Sequence, residues 1–172
     1  MTDYQDIKLG DYVEHLCTEG AEPSGGSAIA VTVSLALSLI AKSVPQCSEV
    51  RKDIISVLRF AEQDDKLMKI MFSGLNETHE PSFSDSMLSD MVKVPLSISQ
   101  VCVRHLKQIP DYLGRSGKHL CVELQCASDM LTACGKGCIR LIDMNLNMMS
   151  ENIERDIMSA VENIKVFFGE IK

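Results

Sequence analysis

The sequence predicts an all-α protein, an up-and-down helical bundle built around one central apolar helix. Three observations carry this. Apolar residues recur at spacings of three and four through most of the chain, and no useful length alternates apolar with polar as a strand would. The run from Gly25 to Ala41 has neither charge nor aromatic ring, and a helix apolar on every side belongs inside something. Aromatic residues are only 5%, with 10 Met and no Trp; such an aliphatic, adaptable core suits packed helices better than a sheet.

Taken in order, residues 5–18 carry Ile7, Leu9, Tyr12, Val13 and Leu16 as an approximate helical stripe, which Gly20 and Pro23 close. Glu22-Pro23-Ser24-Gly25-Gly26-Ser27 combines a turn signal with a capping serine. The second helix therefore starts at Ser24 or Ser27 and ends near Ser43, just before Val44-Pro45. Its small residues let neighbouring helix axes approach closely, which suits it to a subunit contact. Ser48 is a good cap for a third helix, whose apolar positions run from Val50 to about Leu75. Arg51 at its N3 position leaves the capping box half formed. A polar loop follows at 76–82. Phe83 to Val94 reads as a short helix, and Pro95 opens another at an N1-like position, ended by Pro110 and Gly114. Arg115 to His119 is a compact basic loop. A long helical pattern from Leu120 to about Met149 is interrupted by Gly135 and Gly137, and Ser150 can cap a last helix from Glu151 to Ile171.

At 172 residues the chain is most simply one domain, 1–172, large enough for a sizeable core. Its net charge of −7 argues against nucleic acid as a partner, and an acidic ligand would need a helix N-terminus or a small basic cluster. Seven cysteines without a CxxC pair, and an N-terminus without the basic and apolar regions of a signal peptide, read as reduced thiols in a cytoplasmic protein. The uncharged run is shorter than the roughly 20 residues of a membrane span and contains Ser and Thr, so a buried core helix is expected rather than a membrane helix.

The residues that could carry chemistry are few. Backbone N–H groups of the Ser24–Ser27 loop point from a helix start, where an anionic or electron-rich ligand can sit. Asp64-Asp65 falls near the apolar side of the third helix, where a carboxylate would have a raised pKa; spacing alone favours a solvated face. Glu123 is the one charge in Leu120 to Cys126, either at a helix rim, where it suits the macrodipole, or in a cleft. Asn145, among Met and Leu, must find hydrogen-bond partners in neighbouring helices, water or a ligand. Cys134 and Cys138 share a helix face and read as packing, and His15 and His105 read as structural. No spacing of His and Cys suggests a metal, and no cofactor is expected.

With these residues in view, the order of features resembles the cyclodeaminase and methenyltetrahydrofolate cyclohydrolase family, which includes the C-terminal domain of formimidoyltransferase-cyclodeaminase. Pro23-Ser24-Gly25-Gly26-Ser27 stands where that family has Pro-Gly-Gly-Gly-Ser before an Ala-rich helix. Asp64 occupies the family's Asp position, Val94-Pro95-Leu96 matches its Val-Pro-Leu, and Lys136-Gly137 with Asn145-Leu146 echo its late Arg-Gly helix ending in Asn-Leu. Departures are specific. One loop glycine is Ser24. The family's Asn-Pro-Asn and Ser-Asp segment aligns with Gly117-Lys118-His119 and Val122-Glu123, keeping only the carboxylate. Leu141 and Asp143 replace the usual Asn and Arg.

The resemblance implies an all-α homodimer or higher homo-oligomer with a tetrahydrofolate derivative as substrate, acting as a cyclohydrolase or cyclodeaminase. Glu123 and Asp64 would then transfer protons. Ser24, Gly25, Gly26 and Ser27, with Arg115, Lys118, His119 and Asn145, would bind the ligand. The replaced positions keep two alternatives open: the same scaffold acting on a non-folate substrate, and a non-catalytic helical dimer.

Overall fold

The computed structural model describes residues 4–18, 23–77, 85–148 and 154–171. The expected loop at 76–82, the helix start at Phe83, the closing Gly20 and the Ser150 cap lie wholly or partly outside these residues. Among the described residues all regular structure is helical: α1 (Leu9–Leu16), α2 (Gly25–Ser43), α3 (Ser48–Glu77), α4 (Asp85–Arg115), a 3-10 turn (Lys118–Leu120), α5 (Cys121–Asn147) and α6 (Arg155–Glu170).

The four long helices form the predicted up-and-down bundle. α2 packs on α3 and α5, α4 packs on α5 and α3, and α6 lies across α4 and α5. One end of the bundle therefore gathers the start of α2, the end of α3, the start of α4 and the end of α5. The opposite end holds the close of α2, the start of α3, the close of α4 and the start of α5. The core is aliphatic, with Val33, Leu37, Ile40, Val57, Ile98, Leu124, Leu131 and Ile142 essentially inaccessible.

α2 is buried despite its hydroxyls because each returns its proton to the preceding turn. Thr32 donates to the Ala28 carbonyl (2.9 Å), Ser34 to Ala30 (3.0 Å), Ser38 to Ser34 (2.8 Å) and Ser43 to Leu39 (3.0 Å). Its small residues Ala30, Ala36 and Ala41 are buried inside the chain's own bundle. By length and composition α2 could cross a membrane; half of that apolar window is buried within the bundle. An outer stripe stays open, with Leu35 at 53% exposure.

Two expectations about breaks are corrected. Phe83–Val94 and the segment from Pro95 are not separate helices: α4 runs unbroken through Pro95 and Pro110. A proline inside a helix removes the N–H that would bond the carbonyl four residues back. For Pro95 that carbonyl belongs to Met91, and the Asn145 side-chain amide of α5 donates to it at 2.6 Å. Gly135 and Gly137 do not interrupt α5 either. A Cβ at Gly135 would overlap the Phe168 ring, and one at Gly137 would lie 3.0 Å from Ile29 Cδ1. Both glycines are there so that α6 and α2 can come close.

Candidate functional site

The start of α2 and the far end of α3 make one polar cluster. Ser24, in an extended conformation, caps α2: its hydroxyl accepts from Ser27 N–H (3.0 Å), and the Ser27 hydroxyl donates back to the Ser24 carbonyl (2.9 Å). The Ser24 hydroxyl donates to Asp64 Oδ2, and its N–H donates to Asp65 Oδ1 at 2.9 Å. Tyr4, ahead of α1, donates its phenol to Asp65 Oδ2. Gly26 lies flush on the Asp64 carboxyl; a Cβ there would overlap all three of its terminal atoms.

The solvated-face reading of Asp64-Asp65 is thereby overturned. Asp65 is 5% exposed and Asp64 is half-buried, both turned toward the start of α2. The loop's N–H groups were expected to meet an external anion. They meet the chain's own carboxylates instead. Burial raises the Asp64 pKa, and the nearby Asp65 adds to that, while the hydrogen bonds from Ser24 and Ser27 pull it partly back. A carboxyl held this way can exchange a proton nearer neutrality than an ordinary aspartate.

Beside Asp64 a cavity of about 360 Å3 opens between α3 and α4. Phe60 and Leu67 line it, one turn to either side of Asp64 on α3, while Asp64 itself is turned toward the start of α2 and is not among the lining residues. Val94 extends the apolar wall, and Lys66 and Lys93 flank the opening together with Asp90. Neither lysine has an ion-pair partner among the described residues. An apolar floor between two ammonium groups can hold a flat, negatively charged molecule between α3 and α4.

The other predicted residues do not join this cluster within one chain. Glu123 pairs with Lys42 (3.0 Å) at the close of α2. Gly26 and Lys42 are sixteen residues apart on one helix, roughly 24 Å at 1.5 Å per residue. The Lys42 hydrogen bond lowers the Glu123 pKa, the wrong direction for a proton donor at neutral pH. Lys118 and His119, in the 3-10 turn, are exposed at that same far end, as is Arg115, which lies 3.6 Å from Asp111. Asn145 is at the Asp64 end, but its amide donates to Met91, and its Oδ1 is buried without a partner among the described residues. Thus Asp64 and Ser24–Ser27 come together, Asn145 lies at the same end, and Glu123, Lys118 and His119 sit elsewhere.

Sequence reasoning passed over several participants. Tyr4 and Tyr12 pack edge to face with ring centroids 5.8 Å apart, and both phenols are raised in pKa by burial near Asp65. At the far end, fully buried His105 donates from Nε2 to Asp53 Oδ2 at 2.7 Å, and its Nδ1 lies 2.9 Å from the Tyr112 hydroxyl. Arg104 also reaches Asp53, at 2.8 Å. These partners account for His105 structurally; His15 is exposed on α1. Cys134 and Cys138 are buried as expected, and burial pushes the Cys134 thiol up to about 11. Among the described residues no cluster of His, Cys, Asp and Glu could hold a metal ion.

Comparison with known proteins gives no match to this chain, either among family models or among curated sequences.

Proposed function

We propose that the chain is an enzyme of the cyclohydrolase or cyclodeaminase type, acting on a folate-type one-carbon ligand, with Asp64 as its proton-transfer group. One observation supports this most: a half-buried carboxyl of raised pKa, held by Ser24 in the space that Gly26 leaves open, with a cavity of ligand size on the neighbouring face of α3. In the hydrolytic direction water adds to the methenyl carbon and a proton passes to the Asp64 carboxylate. That proton then goes to the ring nitrogen as its C–N bond opens, while the remaining hydroxyl proton of the adduct leaves to solvent, giving a formyl group. Lys66 and Lys93 would take the ligand's carboxylates, the role expected of Arg115, Lys118 and His119. An absorbance assay for loss of methenyltetrahydrofolate tests the proposal. Asp64→Asn should abolish turnover and Glu123→Gln should leave it nearly unchanged; no turnover and no folate binding at millimolar concentration would sink it.

A second reading is the same scaffold acting on a non-folate substrate. It is favoured by the separation of Glu123, Lys118 and His119 from Asp64, which leaves fewer polar groups around the cavity than a pterin ring would use. A thermal-shift screen of reduced folates against other cyclic one-carbon compounds separates the two.

A further inference from the structure

We propose that the groove between α1 and the α2–α3 pair is a second, independent binding site, for a small uncharged molecule that is mostly apolar and carries one hydrogen-bond acceptor. The groove encloses about 230 Å3 under α1, walled by Val31, Leu35, Ile54 and Leu58 and by the rings of Tyr4 and Tyr12. An aliphatic cavity of roughly 150 Å3 stays dry and takes up benzene, so this one has room for a substituted ring. Among the described residues no charged one lines it. An ionic ligand would lose its hydration there and gain no counter-charge.

The polar groups in the wall select the ligand further. The hydroxyls of Ser34 and Ser38 are committed to the Ala30 and Ser34 carbonyls, and Tyr4 is committed to Asp65. Tyr12 is the exception: 6% exposed, its hydroxyl is buried with no hydrogen-bond partner among the described residues. A buried donor left unpaired is costly, and a carbonyl or ether oxygen brought to it removes that cost. Leu35, more than half exposed, forms the rim through which such a molecule would pass. The Asp64 cavity lies on a different side of α3, so this site stands whatever reaction Asp64 serves.

Acetophenone, ethylbenzene and benzoate are near-isosteric probes: a neutral acceptor, a hydrocarbon and an anion. Titrated into the full chain and followed by amide NMR, acetophenone should give saturable shifts in α1 and around residues 31–38 and 54–58. Benzoate should bind about tenfold more weakly, because its charge has no counterpart. Tyr12→Phe should weaken acetophenone about fivefold, the worth of one hydrogen bond, and leave ethylbenzene unaffected. Val31→Phe, filling the groove while circular dichroism reports an intact fold, should abolish both. The proposal is overturned by an absence of saturable shifts in those segments, by benzoate binding as well as acetophenone, by Tyr12→Phe leaving acetophenone unchanged, or by a dimer that buries the groove and excludes acetophenone.

Discussion

Replacing Gly26 by Ala tests the geometry on which the candidate site rests. In an unobstructed helix the change would stabilise by up to about 1 kcal/mol, because alanine loses less backbone freedom on folding. Here the new methyl would occupy the position of the Asp64 carboxyl, so Asp64 must swing away and give up its bond from Ser24. A hydrogen bond to a charged group contributes about 1.5–3 kcal/mol, which outweighs the helix gain. The net expectation is a loss of about 1–2 kcal/mol, a fall in Tm of about 2–8 °C for a chain of this length. Gly25→Ala is the control, since a Cβ there meets nothing within 4 Å. The stronger check is the background Asp64→Ala, where the obstacle is gone and Gly26→Ala should change sign and stabilise by about 0.5–1 kcal/mol. Thermal melts of the parent, the three single variants and the double variant by circular dichroism read this directly. If Gly26→Ala raises Tm while Asp64 is present, or lowers it equally when Asp64 is absent, the carboxyl does not sit where the argument needs it.

Three further outcomes follow from the same structure. Gly135→Ala should destabilise by about 1–3 kcal/mol through overpacking against Phe168, whereas Gly169→Ala, with open space around it, should stabilise by about 0.5–1 kcal/mol; urea midpoints decide. Burial lowers the His105 pKa, with the Asp53 hydrogen bond opposing it, so the unfolded chain takes up the proton first. The stability its neutral ring supplies is present above about pH 6.5 and is lost as pH falls through the folded value; His105→Gln should flatten the dependence of the urea midpoint on pH in that window. Toward a thiol reagent on the native protein, exposed Cys17 and Cys126 should react first and buried Cys102 and Cys138 only on unfolding, as timed absorbance traces would show.

Much of this was legible from residue spacing. The uncharged run after Ser24 gave α2 its place and narrowed the capping serine to Ser24 or Ser27, and the buried faces of α3, α5 and α6 followed from apolar residues three and four apart. Even the misplacement of Glu123 could have been read: in an up-and-down order the beginning of α5 cannot lie beside the beginning of α2. What spacing could not reveal were partnerships across 40 residues or more, such as Ser24 with Asp64 and Asp65, or Tyr4 with Asp65. Local pattern placed the two aspartates on a solvated face because it sees one helix at a time. Pro95 misled for a related reason. Its cost within a helix is real, and the group that offsets it is Asn145, on another helix.

That offset has a consequence for how the bundle is assembled. Aliphatic seams between long helices discriminate poorly against a slip of one turn, roughly 5.4 Å, since leucine meets leucine again. The Asn145 amide and the Met91 carbonyl do discriminate. A slipped α4–α5 pairing would strand both as dry polar groups, at about 1–3 kcal/mol each. The proline thus works as an index mark: by freeing one acceptor it gives the otherwise permissive α4–α5 seam a single position in which the Asn145 amide N–H and the Met91 carbonyl meet. The longitudinal alignment of α4 against α5, and with it the position of the Val94 wall, is set by an imino acid that looks in isolation like a helix breaker.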